Sequence, residues 1–263
     1  MNGTMRKILM GIFAVILVYS LIRIVMIQQE YRMANTIYEE SRTEYLHALD
    51  QTEGAQNPET LEDANKSEAD FPDVYADIKG IQQKNPDVIG WIWIPDTSIN
   101  YPILQGKDNQ RYLNLSYDQK RSISGSIFMD YRNASDFSDN NSILYGHNMK
   151  NETMFGGLKR YLEQDYMRDH SYLYLFKEQS IMKYHIFAAY KTQASSKSYV
   201  RTFQDPMNFE SYLAYVHSCI NDQQLDAPVQ ETPLILLSTC TSVNMNERLV
   251  VHAAFVSEKE IDS

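Results

Sequence analysis

Eight short runs of β-branched, aromatic and other apolar residues, divided by polar turns, constrain this 263-residue chain more than any other feature. They fall at 90–94, 98–104, 126–129, 142–147, 172–176, 181–192, 234–240 and 248–256. Many short strands with polar turns point to a β-sandwich or a closed barrel. Helical patterns interrupt them. Over 205–220, Asp205 can cap, Pro206 suits the first turn, and Phe209, Tyr212, Leu213, Val216 and Ile220 form one stripe. A second helix is predicted over 72–84, with Val74, Ile78 and Ile81 on one face.

The N-terminal region carries a different signal. Residues 8–22 are an almost unbroken apolar run behind Arg6 and Lys7; Arg23 interrupts it and 24–27 resume it. About twenty such residues span a hydrocarbon core of about 30 Å. Arg23 lies near the far end, where a long side chain reaches the interface. Gln28, Gln29 and Glu30 follow, with no small-residue cleavage site. An uncleaved signal-anchor is expected, and the preceding bases favour a cytoplasmic N-terminus. The chain then crosses the cell membrane once and its bulk lies outside.

Residues 30–70 hold eleven acids against three bases, and the whole chain has a formal charge of −10. That balance argues against nucleic-acid binding. Tyr31, Ala34, Tyr38, Tyr45 and Leu49 keep a helical spacing. Residues 51–70 are polar and read as a spacer. The expected organisation is a cytoplasmic tail and membrane helix over 1–29, an acidic stalk over 30–70, and a folded domain over 71–263.

The only cysteines are Cys219 and Cys240, too few for a disulfide scaffold and without paired ligands for zinc. Cys219 lies beside the helical stripe and reads as a core thiol. Cys240 ends an apolar strand beside a loop, where substrate can reach it. His147 follows another apolar strand, and Gly146 before it permits close approach. The other five histidines lie in the stalk, in a charged stretch or inside predicted elements. Arg248 opens the strand after the loop 241–247. If the flanking strands form a hairpin, Arg248 starts beside Cys240. Together the three side chains suit acyl transfer. A thiolate attacks an amide carbonyl, an imidazole protonates the leaving amine, and a guanidinium steadies the oxyanion. No acidic third member is evident, and neither a metal nor a cofactor is required.

Leu237-Ser-Thr-Cys240, Tyr145-Gly-His147 with Asn151-Glu-Thr-Met-Phe155, and Arg248 at a strand start resemble the signature segments of sortases, specifically the class B enzymes of Gram-positive bacteria. Asn85-Pro-Asp-Val-Ile-Gly-Trp-Ile-Trp-Ile94, Asn100-Tyr-Pro-Ile103 and Gly125-Ser-Ile-Phe-Met-Asp130 extend the likeness across about 71–256. It implies a mainly β fold with added helices: an eight-stranded barrel, an N-terminal helix and a long helix before the seventh strand. It also implies a cysteine transpeptidase that cuts an Asn-Pro-x-Thr-type C-terminal sorting signal after Thr and holds the acyl group on Cys240. The acyl group then passes to a peptidoglycan-precursor amine, which anchors the surface protein. By position, Asn109, Leu113, Tyr145, Tyr199, Val200 and Ser238 are the implied substrate contacts. The alternatives are a pilus-assembling sortase, a cysteine peptidase resolved by water, or a non-catalytic surface binding module.

Overall fold

The computed structural model describes residues 3–48, 71–205, 207–220, 227–241 and 246–261. Residues of the expected spacer, 51–70, lie outside them, as do positions 242–245 of the loop before Arg248. In chain order the elements are α1 (Gly3–Tyr45), β1 (Leu46–Ala48), β2 (Val74–Ala76), α2 (Ile78–Lys84), β3 (Val88–Trp93), β4 (Asn100–Leu104) and β5 (Ile127–Met129). β6 (Asn141–Tyr145), α3 (Gln164–Asp169), β7 (Tyr172–Phe176), β8 (Ser180–Gln193), α4 (Phe209–Cys219), β9 (Leu234–Cys240) and β10 (Glu247–Glu260) follow.

The eight strands from β3 onward close into one barrel in the order β10-β8-β7-β3-β4-β5-β6-β9. Closure leaves no edge strand to protect. β4/β5 and β6/β9 are parallel, and the remaining neighbours are antiparallel. The unbroken apolar character of β9 follows from burial on both faces. Ile235 and Leu237 enter the main core, while Leu234 and Leu236 join a second cluster with Phe209, Tyr212 and Val216 of α4. Leu249 and Val251 of β10 face the main core, and Val250 faces the second cluster.

Two helix starts differ from expectation. Asn208, not Asp205, caps α4: its Oδ1 accepts from Ser211 N at 2.9 Å. Asn208 supplies the first turn's missing acceptor, so α4 begins three residues later. Pro206 is not among the described residues. Over 72–84, Val74–Ala76 is a strand paired with β1, and Asp77 then caps α2 by accepting from Gly80 N at 2.8 Å.

α1 is long and apolar enough to cross a membrane, with a mean hydropathy of 2.6 over its most apolar stretch. Side chains from Leu9 to Ile27 are exposed. Further along, the helix docks on the barrel. Ala34, Tyr38, Ser41 and Tyr45 are buried. Tyr38 packs edge-on against Tyr101, with ring centroids 5.1 Å apart, and its hydroxyl donates to the Gly125 carbonyl. Arg42 Nη1 donates to Asn100 O at 3.0 Å, and Asp77 N donates to Tyr45 O at 2.7 Å. Residues 34–48 therefore sit on the barrel, not in a free stalk, because the apolar stripe of this acidic stretch has a barrel face to cover. A chain starting at Phe71 loses two buried tyrosines, each worth about 2 kcal/mol. Its melting midpoint is expected to fall by roughly 10 °C relative to a chain starting at Tyr31. Equal midpoints in calorimetry would put α1 outside the folded unit.

His252 of β10 is fully buried. Its Nε2 pairs with Tyr190 Oη at 2.9 Å, and its ring stacks on Tyr190. Nδ1 finds no partner among the described residues. Burial holds the imidazole down at about 3. The unfolded chain binds the proton at about 6.5. Stability is therefore complete above that value and is lost as pH falls toward 3, by about 1 kcal/mol per pH unit. Urea unfolding at pH 7 and pH 5 should show this slope in wild type and a flatter one in His252→Phe. Parallel slopes would remove His252 as the cause.

Candidate active site

Cys240 is the only exposed residue of β9. Burial of the six before it fixes the strand, and alternation continues the outward face of Leu236 through Ser238 to Cys240. Arg248 stands directly opposite Cys240 in the antiparallel β9/β10 pair, the hairpin placement expected from the sequence. The two cysteines are unbridged; Cys219, at the end of α4, is half-buried against the second cluster.

His147 reaches the same rim from the other side. β6 runs parallel to β9, with Tyr145 opposite Ser238. The ladder continues past the strand: Gly146 N donates to Ser238 O at 3.2 Å, and Asn148 Nδ2 donates to Cys240 O at 2.8 Å. A Cβ on Gly146 would lie 2.5 Å from Ile127 Cδ1 and 2.8 Å from the Phe155 ring, so a larger residue ahead of the histidine would have to push these buried side chains aside. Phe155 N donates to His147 O at 3.0 Å. His147 Nε2 lies 2.7 Å from Leu113 O. A carbonyl only accepts, so Nε2 carries a hydrogen and Nδ1 is the nitrogen left to gain or lose a proton. Leu113 O is itself held close to Gly125, whose φ of +54° and tight contact with that carbonyl admit only glycine. Gly125 is also the residue that Tyr38 of α1 grips.

Cys240, His147 and Arg248 line one cleft of about 270 Å³, with Asn109, Leu113, Tyr145, Tyr199 and Ser238 among its walls. Five of the six implied substrate contacts are thus brought together. Val200 is not among the lining residues: it packs against the second cluster, and its carbonyl accepts from Asn141 Nδ2 at 2.8 Å. Tyr145 and Tyr199 stack with ring centroids 6.4 Å apart. Tyr199 Oη and Ser238 Oγ share a hydrogen bond of 2.8 Å. Burial pushes Tyr199 up to about 12 against the opposing bond from Ser238. Burial and then the charge of Asp130 raise Tyr145. Both phenols stay protonated at neutral pH.

Sequence reading missed Asp130 and Asn148. Asp130 is fully buried and accepts from Asn109 Nδ2 at 2.9 Å, Tyr145 Oη at 3.0 Å, and Arg132 Nε and Nη2, each at 2.8 Å. Burial alone would raise its carboxyl, but these bonds, Arg132 foremost, win and hold it at about 2. It is the acid beside the cleft, yet it bonds Arg132, Asn109 and Tyr145, while His147 bonds the Leu113 carbonyl. The one signal for it was its place at the end of the Gly125–Asp130 motif. Among the described residues no group of three or more His, Cys, Asp or Glu is arranged to hold a metal ion.

Residues 92–256 match a protein family described as the sortase domain. The chain is 35% identical over 189 residues to Sortase B of Listeria monocytogenes, covering 71% of this chain and 76% of that protein. It is 33% identical over 182 residues to Sortase B of Staphylococcus aureus, covering 68% and 74%. Its fold is similar to that of sortase B from B. anthracis in complex with AAEK1, with a TM-score of 0.69 at 30% identity, over 87% of this chain and 99% of that one. A Staphylococcus aureus sortase B-substrate complex superposes with a TM-score of 0.63 at 32% identity, over 68% and 84%.

Proposed function

This chain belongs to the sortase family, as a class B cysteine transpeptidase of the kind that anchors surface proteins, and on that premise we propose that Cys240, His147 and Arg248 carry its acyl transfer. The Cys240 thiolate attacks the carbonyl that follows the Thr side chain of an Asn-Pro-x-Thr-type sorting signal. Arg248 steadies the oxyanion. The C–N bond breaks, and the departing amine takes a proton from His147. The thioester left on Cys240 is then attacked by an amine of a cell-wall precursor. That amine gives its proton to His147, a new amide forms and the thiolate is released. Asn109, Leu113, Tyr145, Tyr199 and Ser238 hold the signal peptide.

The observation that carries this reading is the meeting of an exposed cysteine, a histidine and an arginine in one cleft, each at the end of a different barrel strand. The test is a library of Asn-Pro-x-Thr-type peptides incubated with and without an added amine, followed by mass spectrometry. Cleavage after Thr, a Cys240 thioester and an amine-dependent ligated product are expected. Hydrolysis alone, unaffected by amine, would favour a peptidase. α1 anchors the enzyme in the cell membrane by a single span with the barrel outside, a topology supported by its exposed apolar stretch behind Arg6 and Lys7. Protease added to intact cells should then remove the barrel, and full protection would reverse that topology.

A further inference from the structure

The cleft has one wall whose chemistry is set from behind. Asp130 follows β5 and is locked to β6 by its own N–H, which donates to Ile143 O at 2.9 Å. Its carboxylate is fully buried. Oδ1 takes Arg132 N at 3.0 Å and Arg132 Nε at 2.8 Å. Oδ2 takes Arg132 Nη2 at 2.8 Å, Asn109 Nδ2 at 2.9 Å and Tyr145 Oη at 3.0 Å. A carboxylate offers about four lone-pair positions. These bonds fill them, so Asp130 has nothing left for a proton-transfer role.

Arg132 balances the charge, and the other two side-chain donors both come from cleft walls. Each is fixed by the contact. Asn109 Oδ1 accepts from Tyr131 N at 3.0 Å while its Nδ2 faces Asp130. Flipping that amide would set donor against donor and acceptor against acceptor, so one orientation holds. The only hydrogen of the Tyr145 hydroxyl is committed to the carboxylate. What that oxygen has left is a lone pair.

We infer that Asp130 is a positioning residue that makes the Tyr145 hydroxyl an acceptor for an N–H of the bound peptide and fixes which way the Asn109 amide faces that peptide. The inference rests on the proposed peptide-binding role of the cleft. It also accounts for an acid beside a cysteine–histidine pair that serves the peptide side and not the histidine. Asp130→Asn keeps the shape but places an amide N–H₂ among donors and leaves Arg132 without its counter-charge.

Three readouts test this. In Asp130→Asn, kcat/KM for an Asn-Pro-x-Thr-type peptide should fall by about tenfold or more. The rate at which iodoacetamide alkylates Cys240, which needs no peptide contact, should stay within about twofold of wild type. Placed on an Asn109→Ala/Tyr145→Phe background, Asp130→Asn should cost less than about twofold more, because the groups it positions are gone. Unchanged kcat/KM in Asp130→Asn, a parallel fall in alkylation, or the full tenfold loss repeated on the double-variant background would each overturn the inference. If Asp130→Asn does not fold, Asn109→Ala/Tyr145→Phe, which keeps the Asp130–Arg132 pair, carries the test, and wild-type kcat/KM there overturns it. A wild-type enzyme that cleaves no such peptide would instead sink the functional reading itself.

Discussion

Cys240→Ala is expected to abolish acyl transfer, by about 10⁴-fold or more, while the melting midpoint barely moves. The side chain is exposed at a strand end, so its loss removes a nucleophile and little packing. No second thiol can take over: Cys219 lies at the end of α4 against the second apolar cluster and is not a lining residue of the cleft. Cys219→Ala should therefore stay within about twofold of wild-type activity, at a packing cost of about 1 kcal/mol. Peptide cleavage with mass-spectrometric capture of the thioester checks both. A thioester on Cys219, or turnover in Cys240→Ala, would overturn the assignment.

The next largest effects fall on the two partners. His147→Ala should lower kcat by about 10² to 10⁴, since the leaving amine then lacks a positioned acid. Its ring is oriented by the Leu113 carbonyl, which cannot itself supply a proton. Arg248→Lys should remain impaired by about 10², although the charge is kept, because an ammonium cannot reproduce a planar fork of donors facing one oxyanion. Wild-type kcat in Arg248→Lys would reduce the arginine's role to charge alone and leave the Cys240–His147 pair standing.

Much of the barrel was legible because each strand buries an apolar face, and a period of two is a local property of the chain. All eight expected runs are barrel strands, and the β9/β10 hairpin register followed from a short loop. The parallel partners were not legible. Nothing near Tyr145 names Ser238 as its neighbour 93 positions on, yet that pairing brings His147 to Cys240. The docking of α1 had a visible sign, the stripe through Ala34, Tyr38 and Tyr45, but a stripe does not say what covers it. Asp130 was missed because its partners Asn109 and Tyr145 are distant in sequence and meet only when β5 and β6 pair. Val200 is the one implied contact that does not line the cleft. It follows Tyr199 directly, and both pack against the second cluster, but only Tyr199 also lines the cleft.

α1 passes without interruption from exposed apolar residues to residues buried on the barrel. Ile27 and Ala34 are separated by about 10 Å of helix at 1.5 Å per residue. If α1 is the membrane anchor proposed above, its unbroken helix would leave no swivel between bilayer and cleft. The cleft would then survey a thin layer at one height and nearly one tilt, sliding in two dimensions with its substrates. A scissile bond must then arrive at that altitude as well as with the right side chains. With that anchor, part of the selectivity would be written in the length of a helix that lies away from the peptide.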